Sequence, residues 1–238
     1  GFGAWGMPST VNNVETIATV PAIVEVGPEA YRKVGTPKSP GTFLVGVSGH
    51  VNRPGVYELP LGVTPRHVIE EVAGGMRNGK ALKGFYVGGS STGVLPASKA
   101  GVPMDHDSVR EAGVMLGTAG LVVMDEDTCI VDATLVLADF YDHETCGQCT
   151  QCRVGMEWSR QIIARIENGR GLPDDLDTLL DLIDNFSGGK TICAFADGAA
   201  MPFRTAILNF REEWEEHIRR KVCPFRTKGA GELLEAAT

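Results

Sequence analysis

Residues 145–153 read Thr-Cys-Gly-Gln-Cys-Thr-Gln-Cys-Arg and place three cysteines at two-residue intervals between two segments with helical periodicity. A tetranuclear iron–sulfur cluster is held by four thiolates, and this close spacing wraps three of them around one face of the cluster. The stretch therefore predicts one side of a [4Fe–4S] site, formed by Cys146, Cys149 and Cys152. A fourth cysteine must come from elsewhere in the chain.

Zinc and disulfide bonds are the alternative uses of these cysteines. Structural zinc sites usually take their ligands as two separated pairs, which disfavours zinc for a close triplet. The sequence shows no secretory signal, so a reducing compartment is expected and a disulfide framework is disfavoured. No role is assigned to the five scattered histidines, which are His50, His67, His106, His143 and His217.

Three cysteines remain as candidates for the fourth ligand. Cys129 lies at a predicted helix start among apolar residues, where an inert buried thiol is expected. Cys223 lies in a basic segment that is expected to be a frayed tail. Cys193 lies between the third and fourth predicted helices, and an up-and-down bundle brings that loop to the same end as the triplet. The topology therefore favours Cys193.

Composition limits the classes of partner. The chain has 238 residues, 43% of them hydrophobic, and a formal net charge of −8. This is enough apolar material for a core. The acidic balance argues against a nucleic-acid partner, because no basic stripe is present to neutralise phosphates. No apolar run reaches membrane-spanning length, so direct membrane insertion is not expected.

Periodicity predicts an α+β fold with a small β-grasp module followed by a four-helix bundle that carries the iron–sulfur cluster. Two apolar runs around a turn predict a hairpin over 42–59, followed by a helix capped by Thr64 and a strand at 85–87. Four amphipathic segments then predict the bundle, with Trp158 on the buried stripe of the second helix and a fourth helix that contains both Phe203 and Trp214. The predicted units are 1–38, an N-terminal segment; 39–100, the β-grasp module; 101–127, a connector and strand; 128–222, the helical iron–sulfur domain; and 223–238, a tail.

Residues 8–16 read Pro-Ser-Thr-Val-Asn-Asn-Val-Glu-Thr, and two adjacent asparagines precede a predicted helix. Their amides suit either a helix cap or the binding of a phosphate or flavin, and from the residues alone capping is favoured. The helix that follows carries Val14, Ile17 and Val20 on one face, and this pattern predicts core packing. The chain begins without methionine and looks like the middle of a longer sequence.

Several motifs together resemble the C-terminal half of the flavin subunit of respiratory complex I, the 51-kDa or F subunit. They occur in the order expected for that family and include residues 10–16, the β-grasp module, 107–113, 146–153 and 191–193. Related subunits of NAD-linked formate dehydrogenases and hydrogenases share the same pattern. The resemblance implies that Cys146, Cys149, Cys152 and Cys193 bind the [4Fe–4S] cluster. It also implies that Val11, Asn12, Asn13 and Thr16 line an FMN site, which reverses the preference for capping, and that residues 1–38 are the C-terminal remnant of an FMN- and NADH-binding α/β domain.

The resemblance further implies a function in electron transfer. NADH reduces FMN, and single electrons then pass through the [4Fe–4S] cluster to clusters in partner subunits and ultimately to quinone. No residue of this chain is expected to act as a catalytic acid, base or nucleophile. Expected partners are other iron–sulfur subunits, including a small [2Fe–2S] subunit, in a cytoplasmic or matrix-side peripheral arm. The NADH-binding N-terminal half of the family has no counterpart in the sequence, so the chain alone is expected not to oxidise NADH.

Three alternative functions stay open at this level. The chain could be the diaphorase subunit of a formate dehydrogenase or hydrogenase. It could be a zinc-stapled interaction module without catalytic function, or an adaptor that binds a ligand through the loops at 49–55 or 88–93. Arg153 either offsets the charge of the cluster or only begins a helix with a solvated side chain.

Overall fold

The computed structural model of the chain describes residues 2–226. The protein is a mixed α/β fold with a five-stranded sheet and several helices. The strands are β1 (Thr42–Gly49), β2 (Gly55–Pro60), β3 (Leu82–Tyr86), β4 (Val94–Pro96) and β5 (Gly120–Asp125). The helices are α1 (Val14–Val26), α2 (Pro28–Tyr31), α3 (Pro65–His67), α4 (His106–Glu111), α5 (Ile130–Glu144), α6 (Thr150–Glu167), α7 (Asp175–Phe186), α8 (Phe195–Asn209) and α9 (Arg211–Arg220). Short 3-10 turns occupy Ala4–Gly6, Arg77–Gly79, Ser90–Thr92 and Ala97–Lys99.

The predicted hairpin is present as β1 and β2, which pair antiparallel. Along β1, Phe43, Val45 and Val47 are buried, because alternate side chains of a strand point to the same face. The strand order is β2-β1-β5-β3-β4, and only the β1–β5 pair is parallel. The strand predicted within the 101–127 connector is therefore the centre of the sheet. The short edge strand β4 was not predicted, because three residues are too few to show a period.

The helix after the hairpin begins as predicted, since the Thr64 hydroxyl accepts a hydrogen bond from the His67 amide at 3.2 Å. It continues as a π-helical turn over Val68–Val72 rather than as a regular α-helix. A π-helical turn has one extra residue in its hydrogen-bonded ring, which side-chain periodicity over a single turn cannot distinguish from an α-helix.

Helices α5 to α8 pack in a closed ring in which each contacts the next and α8 returns to α5. Their shared core includes the fully buried Ile163, Ile183 and Phe203, each worth about 1.5–3 kcal/mol by burial. Tyr86, from β3, and Val94, from β4, belong to the same core, so the helices pack directly on the sheet. Among residues 2–226, no helix combines the length and the apolar character needed to cross a bilayer.

Two expectations for the helices are wrong. Trp158 is 52% exposed, because it lies at the border of the apolar stripe rather than on it. The predicted fourth helix is two helices, α8 and α9, which break at Phe210. The indole of Trp214 donates to the Ala206 carbonyl at 3.2 Å across this break. Both helices bury apolar residues in the same core. The hydrophobic periodicity therefore continues across the break, and the sequence pattern alone does not reveal the break.

The prediction that α1 packs into a core is also wrong. No residue of α1 is buried, and Val14 is 82% exposed. The Glu15 carboxylate ties the helix to the sheet by accepting the Leu44 amide of β1 at 2.9 Å. Periodicity correctly indicates the helix but not what covers its apolar face, because that depends on tertiary contacts.

Gly155 allows the close approach of α6 to α7, and a methyl group in its place would overlap the ring of the buried Phe186. We expect Gly155→Ala to lower the free energy of unfolding by about 1–3 kcal/mol, because overpacking outweighs the better helix propensity of alanine. Gly198→Ala in α8 is the matched control, since its nearest new contact is Ser91 Cβ at 3.4 Å. Urea denaturation of both variants tests this, and an equal stability of the two would contradict it.

Candidate metal centre

The cysteine triplet lies in the tight turn between α5 and α6. Helix α5 ends before Thr145, whose backbone is extended, and Gly147 adopts a φ of 77° that favours glycine. Cys149 is the N-cap residue of α6, and Cys152 lies in its first turn. The chain thus reverses direction within a few residues and turns its three thiols to one end of the helical layer.

Cys193 lies at the same end, in the loop that joins α7 to α8. All four cysteines line one cavity of about 380 Å³. Cys152 is buried, Cys149 is half-buried, and Cys146 and Cys193 are exposed, so the site is closed toward the helices and open toward the surface. The remaining wall is formed by Glu144, Thr145, Thr191, Ile192 and Phe195.

Hydrogen bonds hold the two loops together. The Gln151 side-chain amide donates to the Lys190 carbonyl at 2.5 Å and so connects the start of α6 to the Cys193 loop. On the other side of that loop, the Asp197 carboxylate accepts the Gly188 amide at 2.6 Å. The positions of the thiols are therefore set by contacts that do not involve the sulfur atoms.

Arg153 makes a specific contact rather than being a freely solvated side chain, and its role in offsetting the charge of a cluster stays a prediction. Its guanidinium donates to the Gly147 carbonyl, so it braces the turn between Cys146 and Cys149. The side chain is exposed, but it is not free in solvent. A positive charge is thereby held beside the thiol loop.

The buried thiol of Cys152 is not prepared for ionisation. Burial raises the pKa of the Cys152 thiol, and its three neighbouring cysteines act in the same direction, against a contact at 3.4 Å with the Thr145 hydroxyl. Four thiolates in one cavity repel each other, so the deprotonated set needs a bound cation. Metal binding at such a site releases protons.

The residues expected to contact FMN are all on the surface. The Asn13 side-chain oxygen accepts the amides of Glu15 at 2.9 Å and Thr16 at 3.4 Å, which makes Asn13 the N-cap of α1. The Asn12 side-chain amide donates to the Thr10 hydroxyl at 3.3 Å. Val11 is 98% exposed. The capping contact is therefore present, and the FMN contact stays a prediction.

A second group of potential ligands was missed by sequence reasoning. Cys129, Glu167, His217 and Cys223 are all buried, and their ligand atoms lie within 4.8 Å of one another. Cys129 is buried in the apolar core as expected, but its thiol also contacts Glu167 and His217. Cys223 is buried rather than in a frayed tail. Cys129 and Glu167 are distant in sequence from each other and from the nearby pair His217 and Cys223, so no local signal could have joined all four.

Comparisons with known proteins support the interpretation of the helical layer. Residues 132–217 match the family profile described as the NADH-ubiquinone oxidoreductase-F iron-sulfur binding region. Residues 44–95 match the SLBB domain. The helical layer is thus an iron–sulfur binding region, which the cysteine triplet predicted.

The chain is similar over nearly its whole length to curated proteins. It is 48% identical over 223 residues to the F subunit of the NADH-quinone oxidoreductase of Mycobacterium tuberculosis (strain ATCC 25618 / H37Rv), covering 94% of this chain and 50% of that protein. It is 44% identical over 218 residues to the protein of the same name from Escherichia coli (strain K12), covering 92% and 49%. The chain therefore spans about half the length of these relatives.

A solved structure shows the same fold. The NAD+-reducing [NiFe]-hydrogenase in its air-oxidized state matches with a TM-score of 0.80 and 32% identity, covering 91% of this chain and 37% of that chain. These matches show that the chain is similar to NADH-quinone oxidoreductase F subunits over the half of their length that it spans, and that residues 132–217 match their iron-sulfur binding region. This confirms the resemblance found in the motifs.

The capping role of Asn13 can be separated from any role in binding. We expect Asn13→Ala to weaken α1 by about 1 kcal/mol, or roughly fivefold in the local opening equilibrium. The global unfolding midpoint should not change, because α1 buries no side chain. Hydrogen exchange of the α1 amides measures the effect. Asn12→Ala is the matched control, and equal exchange rates in the two variants would argue against the cap.

Proposed function

We propose that this chain is the electron-transfer portion of an NADH-oxidising flavin subunit. In this proposal Cys146, Cys149, Cys152 and Cys193 bind a [4Fe–4S] cluster. The convergence of four thiols from two loops in one cavity, inside the region that matches the iron–sulfur binding profile, carries the proposal.

The donor set fits an iron–sulfur cluster. Thiolates are soft ligands that select iron–sulfur clusters or zinc over the hard cations. Three of the four come from a single C-x2-C-x2-C turn, which is a spacing of cluster sites rather than of paired zinc ligands. A cavity of about 380 Å³ between them leaves room for inorganic sulfide as well as metal.

The chain's own residues determine access and electrostatics at this centre. A bound cluster accepts and releases one electron at a time. Cys152 and the helices behind it exclude water from one side, whereas the exposed Cys146 and Cys193 leave a side where a redox partner can approach. The Thr145 hydroxyl contacts the Cys152 sulfur, and such contacts tune the potential of a centre.

The flavin site is proposed for residues Val11, Asn12, Asn13 and Thr16. A cap by the Asn13 oxygen is compatible with this role, because the same side chain also has an amide nitrogen that can donate to a ligand. The exposed apolar face of α1 is a surface on which the rest of an FMN-binding domain can pack. In the complete protein NADH would be the substrate and would reduce FMN.

The finer description of the fold belongs to the same proposal. The sheet unit is interpreted as a β-grasp module of the soluble-ligand-binding type, and α5 to α8 as a four-helix bundle. The SLBB match and the single parallel pair at the centre of the sheet support this interpretation. We propose that the module provides an interface to other subunits.

Electrons would leave toward clusters in other iron–sulfur subunits, among them a small [2Fe–2S] subunit, and would reach quinone in the peripheral arm of a larger complex. The second candidate is the diaphorase subunit of an NAD-linked hydrogenase or formate dehydrogenase. The structural match to an NAD+-reducing hydrogenase favours this candidate. The two candidates share the same thiol centre and differ in the terminal acceptor.

The identity of the fourth ligand gives a direct test. We expect the anaerobically purified chain to contain about four irons and to show an electron paramagnetic resonance signal on reduction. Cys193→Ser should remove or convert the cluster, because one thiolate is lost. Cys223→Ser is the matched control and should keep the iron. Unchanged iron and an unchanged signal in the Cys193→Ser protein would refute the assignment.

A further inference from the structure

The second group of buried ligands lies at the opposite end of α5 and α6 from the thiol cavity. Cys129 immediately precedes α5, and Glu167 is the last residue of α6. His217 lies in α9, and Cys223 follows that helix. The two ends of α5, a helix of 15 residues, are about 22 Å apart, so the two groups are separate sites.

The four ligand atoms lie close enough together to surround one metal ion, all within 4.8 Å of one another. The Cys129 and Cys223 sulfur atoms are 3.6 Å apart. The Cys129 sulfur is 3.2 Å from His217 Nε2 and 3.5 Å from Glu167 Oε2, and these last two atoms are 3.3 Å apart. A tetrahedral zinc ion with metal–sulfur bonds of about 2.3 Å and metal–nitrogen or metal–oxygen bonds of about 2.0–2.2 Å requires separations of about 3.3–3.8 Å between its ligands.

The imidazole of His217 is oriented for metal binding. Its Nδ1 is 2.7 Å from the Glu213 backbone carbonyl, which can only accept, so Nδ1 carries the proton. In the neutral ring Nε2 then presents its lone pair to the sulfur atoms and the carboxylate. A second nitrogen that donates to a backbone carbonyl is the usual support of a metal-bound histidine. Glu213 is itself fixed by an ion pair with Lys83 at 2.6 Å.

The buried carboxylate is incompletely satisfied without a ligand. Glu167 is 1% exposed, and its Oε1 has no hydrogen-bond donor among the described residues. The Arg226 guanidinium is 3.4 Å from that oxygen, which is an ion-pair contact rather than a hydrogen bond. An ion pair between Glu167 and His217 would account for two of the four groups. The two thiols would then serve only as weak hydrogen-bond donors, as Cys129 does to the Glu167 carboxylate at 3.5 Å, and Glu167 Oε1 would still lack a donor.

We propose that Cys129, Glu167, His217 and Cys223 bind one Zn²⁺ ion in a closed tetrahedral site that joins the start of α5, the end of α6 and the end of α9. Two thiolates, one carboxylate and a neutral imidazole give the occupied site a net charge of −1, which Arg226 balances. The two thiol protons pass to solvent when the ion binds.

The site has too few thiols for a second tetranuclear cluster, and its thiol–imidazole content disfavours magnesium and calcium. All four positions are filled by the protein, which is characteristic of structural rather than catalytic zinc. Zinc has no redox chemistry, so the site would stabilise the helices without competing for electrons. The helices would then be fastened by a metal centre at each end.

The test uses the full chain produced anaerobically with iron and zinc both supplied. Elemental analysis should find about one zinc per chain in addition to the iron of the other centre. Zinc-edge X-ray absorption should show two sulfur ligands at about 2.3 Å and two lighter ligands at about 2.0–2.2 Å. Zinc with four sulfur ligands would place the ion in the other cavity and overturn the proposal, as would protein without zinc.

Variants separate the two centres. Cys223→Ser and the milder Glu167→Gln should lose zinc and keep iron, whereas Cys193→Ser should lose iron and keep zinc. His106→Ala, at an exposed histidine of α4, is the matched control for His217→Ala and should keep both metals.

If a variant does not fold, replacement of zinc by Co²⁺ in the unmutated chain gives the visible spectrum of a tetrahedral thiolate site. An octahedral spectrum, or iron that follows Cys223 rather than Cys193, would refute a zinc site here.

Discussion

The antiparallel packing of α5 against α6 is the contact on which the arrangement of both centres depends. Because Gly147 allows the chain to reverse within the thiol turn, the end of one helix and the start of the next lie side by side. The same reversal brings the start of α5 next to the end of α6, where Cys129 meets Glu167. The loop before α8 then supplies Cys193 at one end, and α9 with the residues that follow it supplies His217 and Cys223 at the other. A single helical hairpin thus organises six cysteines into two groups.

The two groups of ligands differ in their exposure to solvent, and this difference separates their chemistry. Two of the four thiols in the cavity at the α5–α6 turn are exposed, and an electron carrier needs such an approach for its partner. At the other end every ligand is buried. A buried set of thiols, imidazole and carboxylate is costly to leave unpaired, so a permanently bound cation is the simplest way to satisfy it. In the two proposed sites, cysteine therefore takes part in electron transfer at one end of the helical hairpin and holds the helices together at the other.

The N-terminal segment shows how one side chain can satisfy both a structural and a binding interpretation. Asn13 caps α1 through its oxygen, and the cap holds the first turn in place beside β1. The helix exposes its apolar face, in contrast to α5 to α8, whose apolar faces form a core. The chain spans about half the length of the curated relatives it matches.

The sequence by itself determined those features that depend on local spacing. The cysteine triplet, the hairpin of β1 and β2, the Thr64 cap and most of the buried helical stripes follow from periods and motifs within a few residues of one another. Cys193 could be added because two short loops between antiparallel helices must share an end. These predictions succeeded because backbone geometry over one or two turns is set by neighbouring residues.

Only the tertiary structure decided the features that depend on distant contacts. What packs against each segment sets the exposure of α1, the break at Phe210 and the central position of β5. Hydrophobic periodicity identifies the apolar face of an element but not the element that packs against it. The group around His217 joins four residues from different elements that no spacing connects. Tertiary packing brings them together, because the start of α5, the end of α6 and the end of α9 meet where the helices close on one core.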